Sequence, residues 1–241
     1  EKPGVGVVEK MEPRKNVLSR PAVANVDQLL VVMALKNPQC DWQLVSRLLV
    51  IAEMEGLDAL LCMNKTDLVD KAEIDEVQEK LEPFPYPYYF TCALDYAGID
   101  ALLNMLSDRC TVLAGPSGTG KSSLLNAIDP DLSLKTGTIS KKIGRGRHTT
   151  RQAELLPLHV GGSVVDTPGF YRLNFKGMQI DRLDHFFPEF EPWSANCAFR
   201  DCLHLTEPQC AIRQEIGKTV NPLRYDHYRS FMEELNEEEA Y

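Results

Sequence analysis

Gly115-Pro116-Ser117-Gly118-Thr119-Gly120-Lys121-Ser122 follows the apolar run Cys110-Thr111-Val112-Leu113-Ala114 and opens a helical pattern over residues 122–128. The eight residues fill G-x-x-x-x-G-K-[ST] at every fixed position, between a strand and a helix. The glycines free successive backbone N–H groups to curl around phosphate oxygens. The helix N-terminus adds positive potential at the same place. Lys121 then reaches the terminal phosphates, and the Ser122 hydroxyl is placed to ligate Mg2+. Gly115, Ser117, Gly118, Thr119, Gly120, Lys121, Ser122 and Ser123 are the candidate phosphate-binding residues, with Lys121 also a candidate catalytic group. A glycine-rich turn matching by chance would lack the strand, the Lys-Ser pair and the helix together.

Outward from this loop, strand and helix patterns alternate. Residues 29–35 and 57–63 are continuous apolar runs, as strands covered on both faces are. Residues 42–55 carry Leu44, Val45, Leu48, Leu49 and Ala52 at helical spacing. Residues 72–81 read as a polar helix, 88–92 as a strand, 99–106 as a helix and 163–166 as the end of a strand. Pro83-Phe84-Pro85-Tyr86-Pro87 interrupts the pattern. Such alternation implies an open, mostly parallel sheet with helices on both faces. After about Phe175 strand patterns stop and loops and helices follow, with helices expected over 211–216 and 223–235. At the front, residues 5–8 and 16–21 read as short strands, the end of a small barrel whose beginning is missing.

The base is read from other loops. Asn64-Lys65-Thr66-Asp67 follows the run 57–63 and matches N-K-x-D. Asp67 would accept hydrogen bonds from the guanine ring N–H and exocyclic amine, Asn64 would fix the loop, and the stem of Lys65 would pack over the ring. Thr91-Cys92-Ala93 follows the next strand and resembles the S-A-[KL] guanine loop, in which a backbone N–H meets the base oxygen. Asp166-Thr167-Pro168-Gly169 matches D-x-x-G: Asp166 reaches Mg2+ through water and the Gly169 amide senses the γ-phosphate. Asp95-Tyr96-Ala97-Gly98 also fits that pattern, but it precedes the phosphate loop and continues the guanine loop. In the usual GTPase order the phosphate loop comes first. Here the base-reading loops come first, and no N-K-x-D follows Asp166. A parallel sheet can be cut at one connection and rejoined at its old ends without moving the site. The expected fold is therefore an α/β, Ras-like P-loop GTPase sheet, circularly permuted, binding GTP or GDP with Mg2+.

Bulk properties agree. The 241 residues suit one large domain with one or two small appendages. With 44% hydrophobic and 25% charged residues the chain resembles an ordinary soluble protein. No apolar run approaches the roughly 20 residues of a membrane helix, and no signal peptide is evident. The chain lacks an initiator Met and reads as a fragment or a trimmed product. A net charge of −9 argues against unspecific nucleic-acid binding. Residues 135–151 nevertheless carry Lys135, Lys141, Lys142, Arg145, Arg147 and Arg151 without an acid, either a solvated loop or a phosphate contact. Cys40, Cys62, Cys92 and Cys110 read as small buried hydrophobes. Three further cysteines cluster with a histidine, which suits a reducing compartment and a metal site.

The stretch Val17-Leu18-Ser19-Arg20-Pro21-Ala22-Val23-Ala24-Asn25-Val26-Asp27-Gln28, the permuted order, Gly146-Arg147-His148-Thr149-Thr150 and Asp166-Thr167-Pro168-Gly169-Phe170 together resemble the RsgA/YjeQ family. These are circularly permuted bacterial GTPases that act in maturation of the small ribosomal subunit. The resemblance covers essentially the whole chain. It implies an N-terminal OB-fold, a permuted GTPase domain and a C-terminal zinc domain, here residues 1–27, 28–175 and 176–241. Only a remnant of the OB-fold stands at the front. The implied partners are the small ribosomal subunit and its rRNA, met by a cytoplasmic monomer with no membrane association.

Cys197, Cys202, His204 and Cys210 form Cys-x(4)-Cys-x-His-x(5)-Cys. Three thiolates and an imidazole close a tetrahedral structural Zn2+ site and leave no position for catalytic water. A segment this short gains folding energy from the metal. Many GTPases place a water-orienting Gln two residues beyond the Gly of D-x-x-G, but here Phe170 and Tyr171 follow Gly169. His148 is the candidate replacement, and the resemblance supports a histidine in this role. Thr150 is the candidate Mg2+ and γ-phosphate contact, with Thr149 the close alternative. His159, His185 and His227 lack partners at metal spacing and read as ordinary residues.

Overall fold

The computed structural model describes residues 13–18, 23–132, 134, 154–166, 175 and 178–239. Among the described residues eight strands run β1 (Val17–Leu18), β2 (Val23–Ala24), β3 (Gln28–Ala34), β4 (Asp58–Asn64), β5 (Tyr88–Thr91), β6 (Cys110–Ala114), β7 (Glu154–Pro157) and β8 (Ser163–Asp166). The helices are α1 (Trp42–Met54), α2 (Lys71–Leu81), α3 (Ile99–Leu106), α4 (Lys121–Ile128), α5 (Glu191–Ser194), α6 (Ala211–Gln214) and α7 (Pro222–Glu239).

Strands β3 to β8 form one sheet in the order β5-β4-β3-β6-β8-β7. Every neighbouring pair is parallel except β7 and β8. β6, which leads into the glycine loop, stands inside the sheet. The chain-earlier strands lie to one side of it and the chain-later ones to the other, as a permuted connection requires. β3 is buried along its whole length because both of its faces are covered. Leu29, Val31 and Met33 face α1 and the C-terminal helices, while Leu30 and Val32 face α3 and α4. This period-two split is what side chains on alternate faces of a strand impose. Asp41 caps α1 by accepting the Leu44 amide at 3.0 Å, and Asp70 and Glu73 form a capping box on α2.

The C-terminal segment shares the first of these cores. A 3-10 helix at Ile180–Phe186 packs on α1 and α7, and Leu183, Phe187, Phe190, Tyr228 and Phe231 join the cluster that contains Leu29 and Val45. At the front, β1 and β2 pair antiparallel, and the Asn16 side chain bonds both Val26 backbone groups at 2.7 and 3.0 Å. Residues 5–8 and 19–21, read as strand, lie partly or wholly outside the described residues.

Three features differ from the pattern reading. β7 adds an antiparallel edge. α6 ends at Gln214, because Ile216 instead bridges to Val220. Cys62 and Cys92 are buried, but Cys40 and Cys110 are only half-buried.

Candidate nucleotide site and metal centre

The loops after β4, β5 and β6 converge at one end of the sheet. Between Gly115 and Gly120 the glycines take left-handed backbone angles, with φ +139° at Gly115 and +91° at Gly120. A Cβ on Gly115 would stand 2.1 Å from the Val32 carbonyl oxygen, and one on Gly120 would stand 2.5 Å from Asn64 Nδ2. Thr119 is buried and its hydroxyl donates to Pro116 O at 3.1 Å. The Lys121 ammonium donates to Gly115 O at 2.7 Å and Pro116 O at 2.8 Å, across the loop. Lys121, Ser122 and Ser123 form the first turn of α4, and the N-terminus of a helix favours an anion.

Asn64 ends β4, is buried, and donates from Nδ2 to Thr119 O at 2.9 Å. Its Oδ1 accepts the Thr91 hydroxyl at 3.1 Å. One side chain thus ties the N-K-x-D loop, the loop after β5 and the phosphate loop. Lys65, at φ +66°, donates to Gly118 O at 2.5 Å and to Asn37 O, so the β3–α1 connection joins the same junction. Cys92 Sγ donates to Asp67 Oδ1 at 3.2 Å, and burial pushes that thiol above its usual pKa. The thiol stays protonated and keeps its single hydrogen for the carboxylate. Ala93 follows it in the same turn. Asn64 and Lys65 are therefore bonded to the glycine loop, with Thr91 held on Asn64 and Cys92 on Asp67, although Asn64 precedes Gly115 by 51 positions.

Motif reading missed two of these contacts. The guanine-loop motif uses only the backbone at Cys92, yet the side chain also holds Asp67. The Asn37 carbonyl belongs to no motif, so only the fold reveals it. The backbone of Asp166 ends β8 next to β6. His148, Thr149, Thr150, Gly169, Phe170, Tyr171 and the basic run 135–151 lie outside the described residues.

Far along the chain, Cys197, Cys202, His204 and Cys210 bring four donor atoms within 4.8 Å of one another. Cys197 and Cys210 Sγ are 3.9 Å apart and stand 3.5 and 3.4 Å from His204 Nδ1. Zn–S bonds of about 2.3 Å in a tetrahedron put sulfurs about 3.8 Å apart, so the donor set fits zinc. Burial pushes the Cys210 thiol up, and the Cys202 thiol to about 12. At Cys197 burial also acts upward, but the amides of Ala211 and Ile212 outweigh it and hold the thiol low. Glu207 braces the knuckle by accepting the amides of Leu203, Leu205 and Thr206 at 2.8, 2.9 and 3.0 Å.

Three further histidines, His159, His185 and His227, stand apart from the cysteine cluster's donor set. His159 pairs with Asp129 at 3.1 Å, His227 with the Ser46 hydroxyl at 2.8 Å, and His185 is an exposed neighbour of Asp184.

A glycine phosphate loop interlocked with guanine-type loops, on a parallel sheet whose connections are permuted, defines the class: a P-loop GTPase of circularly permuted order. The comparisons agree. The family model for the RsgA GTPase matches residues 11–176, and the chain belongs to that family; it is a GTPase. It is 46% identical over 235 residues to the small ribosomal subunit biogenesis GTPase RsgA of Moorella thermoacetica, covering 97% of this chain and 80% of that protein. The protein of the same name from Geobacillus kaustophilus is 42% identical, over 96% of this chain and 80% of its own length. Among solved structures, YjeQ from Thermotoga maritima superposes with a TM-score of 0.81 at 36% identity, covering 94% of this chain and 77% of that one. YloQ, described as a circularly permuted GTPase, gives 0.78 at 36% identity, over 95% and 75% of the two chains.

Proposed function

We propose that this GTPase acts in biogenesis of the small ribosomal subunit, hydrolysing GTP to GDP and phosphate faster when bound to that subunit. The observation that carries the nucleotide half is Asn64 Nδ2 on Thr119 O, which clamps a base-reading loop from early in the chain onto the phosphate loop. The names of the relatives support the ribosomal half.

In this reading Asp67 accepts the guanine N–H groups, steadied by Cys92, and a backbone N–H near Ala93 meets the base oxygen. The amides from Gly115 to Ser123 hold the phosphates, and the Lys121 ammonium turns from its loop carbonyls to the terminal phosphate oxygens. The hydroxyls of Ser122 and Thr150 would hold Mg2+, with Asp166 reaching it through water. Mg2+ held by these residues would supply a divalent charge to compensate that of the phosphates. The Gly169 amide reports the γ-phosphate, and neutral His148 accepts a hydrogen bond from the attacking water. Cys197, Cys202, His204 and Cys210 would hold structural Zn2+, a closed set that supports folding and not hydrolysis. The basic run 135–151 overlaps the first switch, so rRNA phosphates bound there order it and place His148. The protein works as a cytoplasmic monomer. Among the described residues no helix is long and apolar enough to cross a membrane.

The test is turnover with and without purified small subunits. Stimulation well above tenfold is expected, with His148→Ala binding GDP normally but losing the stimulated rate. Equal rates with and without subunits would refute the ribosomal reading. Full turnover by His148→Ala would refute the histidine's role.

A further inference from the structure

His204 presents its two ring nitrogens to different partners. Nδ1 faces the sulfurs of Cys197 and Cys210 at 3.5 and 3.4 Å, so it is the nitrogen on the metal side. Nε2 faces Asp184 Oδ2 at 3.5 Å. The ring is buried and the Asp184 side chain is only 17% exposed, so bulk water does not readily substitute for that carboxylate. A neutral imidazole that ligates through Nδ1 must carry its proton on Nε2, and a buried N–H requires an acceptor. Asp184 comes from the 3-10 helix Ile180–Phe186, not from the knuckle. The rings of Phe190 and Tyr228 flank the imidazole at 6.2 and 6.5 Å between centroids, and further bonds hold the backbone. Tyr225 Oη of α7 donates to His204 O at 2.7 Å, and Tyr228 Oη donates to Leu203 O at 2.8 Å. They fix where the residue stands at φ +58°, and the flanking rings restrict the imidazole, but the acceptor facing Nε2 is the Asp184 carboxylate.

We propose that Asp184 is a positioning residue for the metal centre: its carboxylate accepts the Nε2–H of His204, selects the tautomer that offers Nδ1 to the ion, and joins the ion's occupancy to the 3-10 helix packed on α1. This rests on the zinc reading above. It adds a residue outside the cysteine–histidine set, from a segment with no metal-binding pattern. Carboxylates behind a ligating histidine act by orienting the ring and raising its basicity, and their loss typically weakens metal binding ten- to a hundredfold.

The experiment is zinc competition on the full chain against a chromophoric chelator, for wild type, Asp184→Ala and Asp184→Asn, with GDP affinity measured on each. Asp184→Ala should bind zinc ten- to a hundredfold more weakly. Asp184→Asn keeps a carbonyl acceptor and should recover part of that loss. GDP affinity should stay within twofold of wild type in both. Cobalt(II) in place of zinc should give shifted d–d bands in the alanine variant, which a merely structural role would not produce. Unchanged zinc affinity and unchanged bands in both variants would overturn the proposal while leaving the metal site intact. A wild-type chain that takes up no zinc or cobalt would instead overturn the metal reading on which it stands. Should the alanine variant lose GDP binding as well, the near-isosteric asparagine variant decides, and wild-type zinc affinity and bands there overturn the proposal.

Discussion

At Gly120 two constraints meet on a single hydrogen atom. The backbone stands at φ +91°, and any Cβ would press on Asn64 Nδ2 at 2.5 Å. Gly120→Ala therefore costs about 1–2 kcal/mol in backbone strain and roughly a further 1 kcal/mol as Asn64 is pushed off Thr119 O. Titration with a fluorescent GDP analogue should show affinity at least tenfold weaker, and wild-type affinity would contradict the geometry. The motif specifies a glycine here, but the reason includes a side chain 56 positions earlier, which only the fold supplies. Asp27 is a second such residue, and none of the nucleotide-binding motifs includes it. It accepts the Cys110 amide at 2.9 Å and pairs with Lys15 at 3.0 Å. The amide first, with Lys15 and Arg109 adding to it against partial burial, lowers the Asp27 pKa below the usual carboxylate range. Its stabilisation is present above the unfolded value near about 3.9 and disappears as pH falls through the lower folded value. With the carboxylate partly exposed, Asp27→Asn should cost only about 1 kcal/mol at neutral pH. Urea titrations of both proteins should converge as pH falls from the unfolded value through the lower folded one, and a gap that stays constant on acidification would sink the assignment.

Among elements, those read best in advance carry their evidence locally. Helix 99–106 and strand 110–114 match their expected spans, because an apolar pattern and its breakers lie within the same few residues. β7 is Glu-Leu-Leu-Pro, too short to show a period, and it exists only by pairing with β8. The seat of α7 was equally hidden, since it depends on contacts nearly 180 residues apart. Arg224 is fully buried and bonds Glu189 at 2.7 Å, with Ser46 O at 3.4 Å. Its guanidinium also lies 4.4 Å from the Phe187 ring centre, with Phe84 and Tyr86 of the proline-rich interruption at 5.6 and 5.9 Å. That interruption is thus half of a receptor for α7. Arg224→Met leaves the Glu189 charge buried without its partner and should destabilise the chain by about 3–5 kcal/mol. Arg224→Met with Glu189→Leu should regain most of that, because removing both charges removes the desolvation problem. Chemical denaturation of the three proteins tests this, and a single variant as stable as wild type would show the pair to be dispensable.

For the whole molecule, the question is whether the cysteine-rich end folds as a unit of its own. The cysteine–histidine spacing suggests a separate module, since such clusters stabilise segments too small for a core. Packing argues otherwise. The face of the sheet bearing Leu29 and Val31 shares one core with α1, α7 and the aromatic residues Phe187, Phe190 and Tyr228. Arg47 of α1 forks onto Glu234 of α7 and lies 4.7 and 4.8 Å from the rings of Phe175 and Phe231. Elements that bury each other's apolar surface unfold together when neither can keep that surface dry alone. The chain has two tryptophans: Trp42 on α1 beside the sheet, and Trp193 on α5 beside the cysteines. Trp193→Phe and Trp42→Phe leave one reporter on each part. Their thermal fluorescence transitions should coincide. GDP at a hundred times its Kd should stabilise both by about 2.7 kcal/mol, although its proposed site lies on the first part alone. With zinc in the proposed cysteine–histidine site, its removal by a chelator should lower both midpoints together, by the converse of the same linkage. An earlier Trp193 transition that ignores GDP would mean that the apolar contacts across α1 are too weak to couple the two ends.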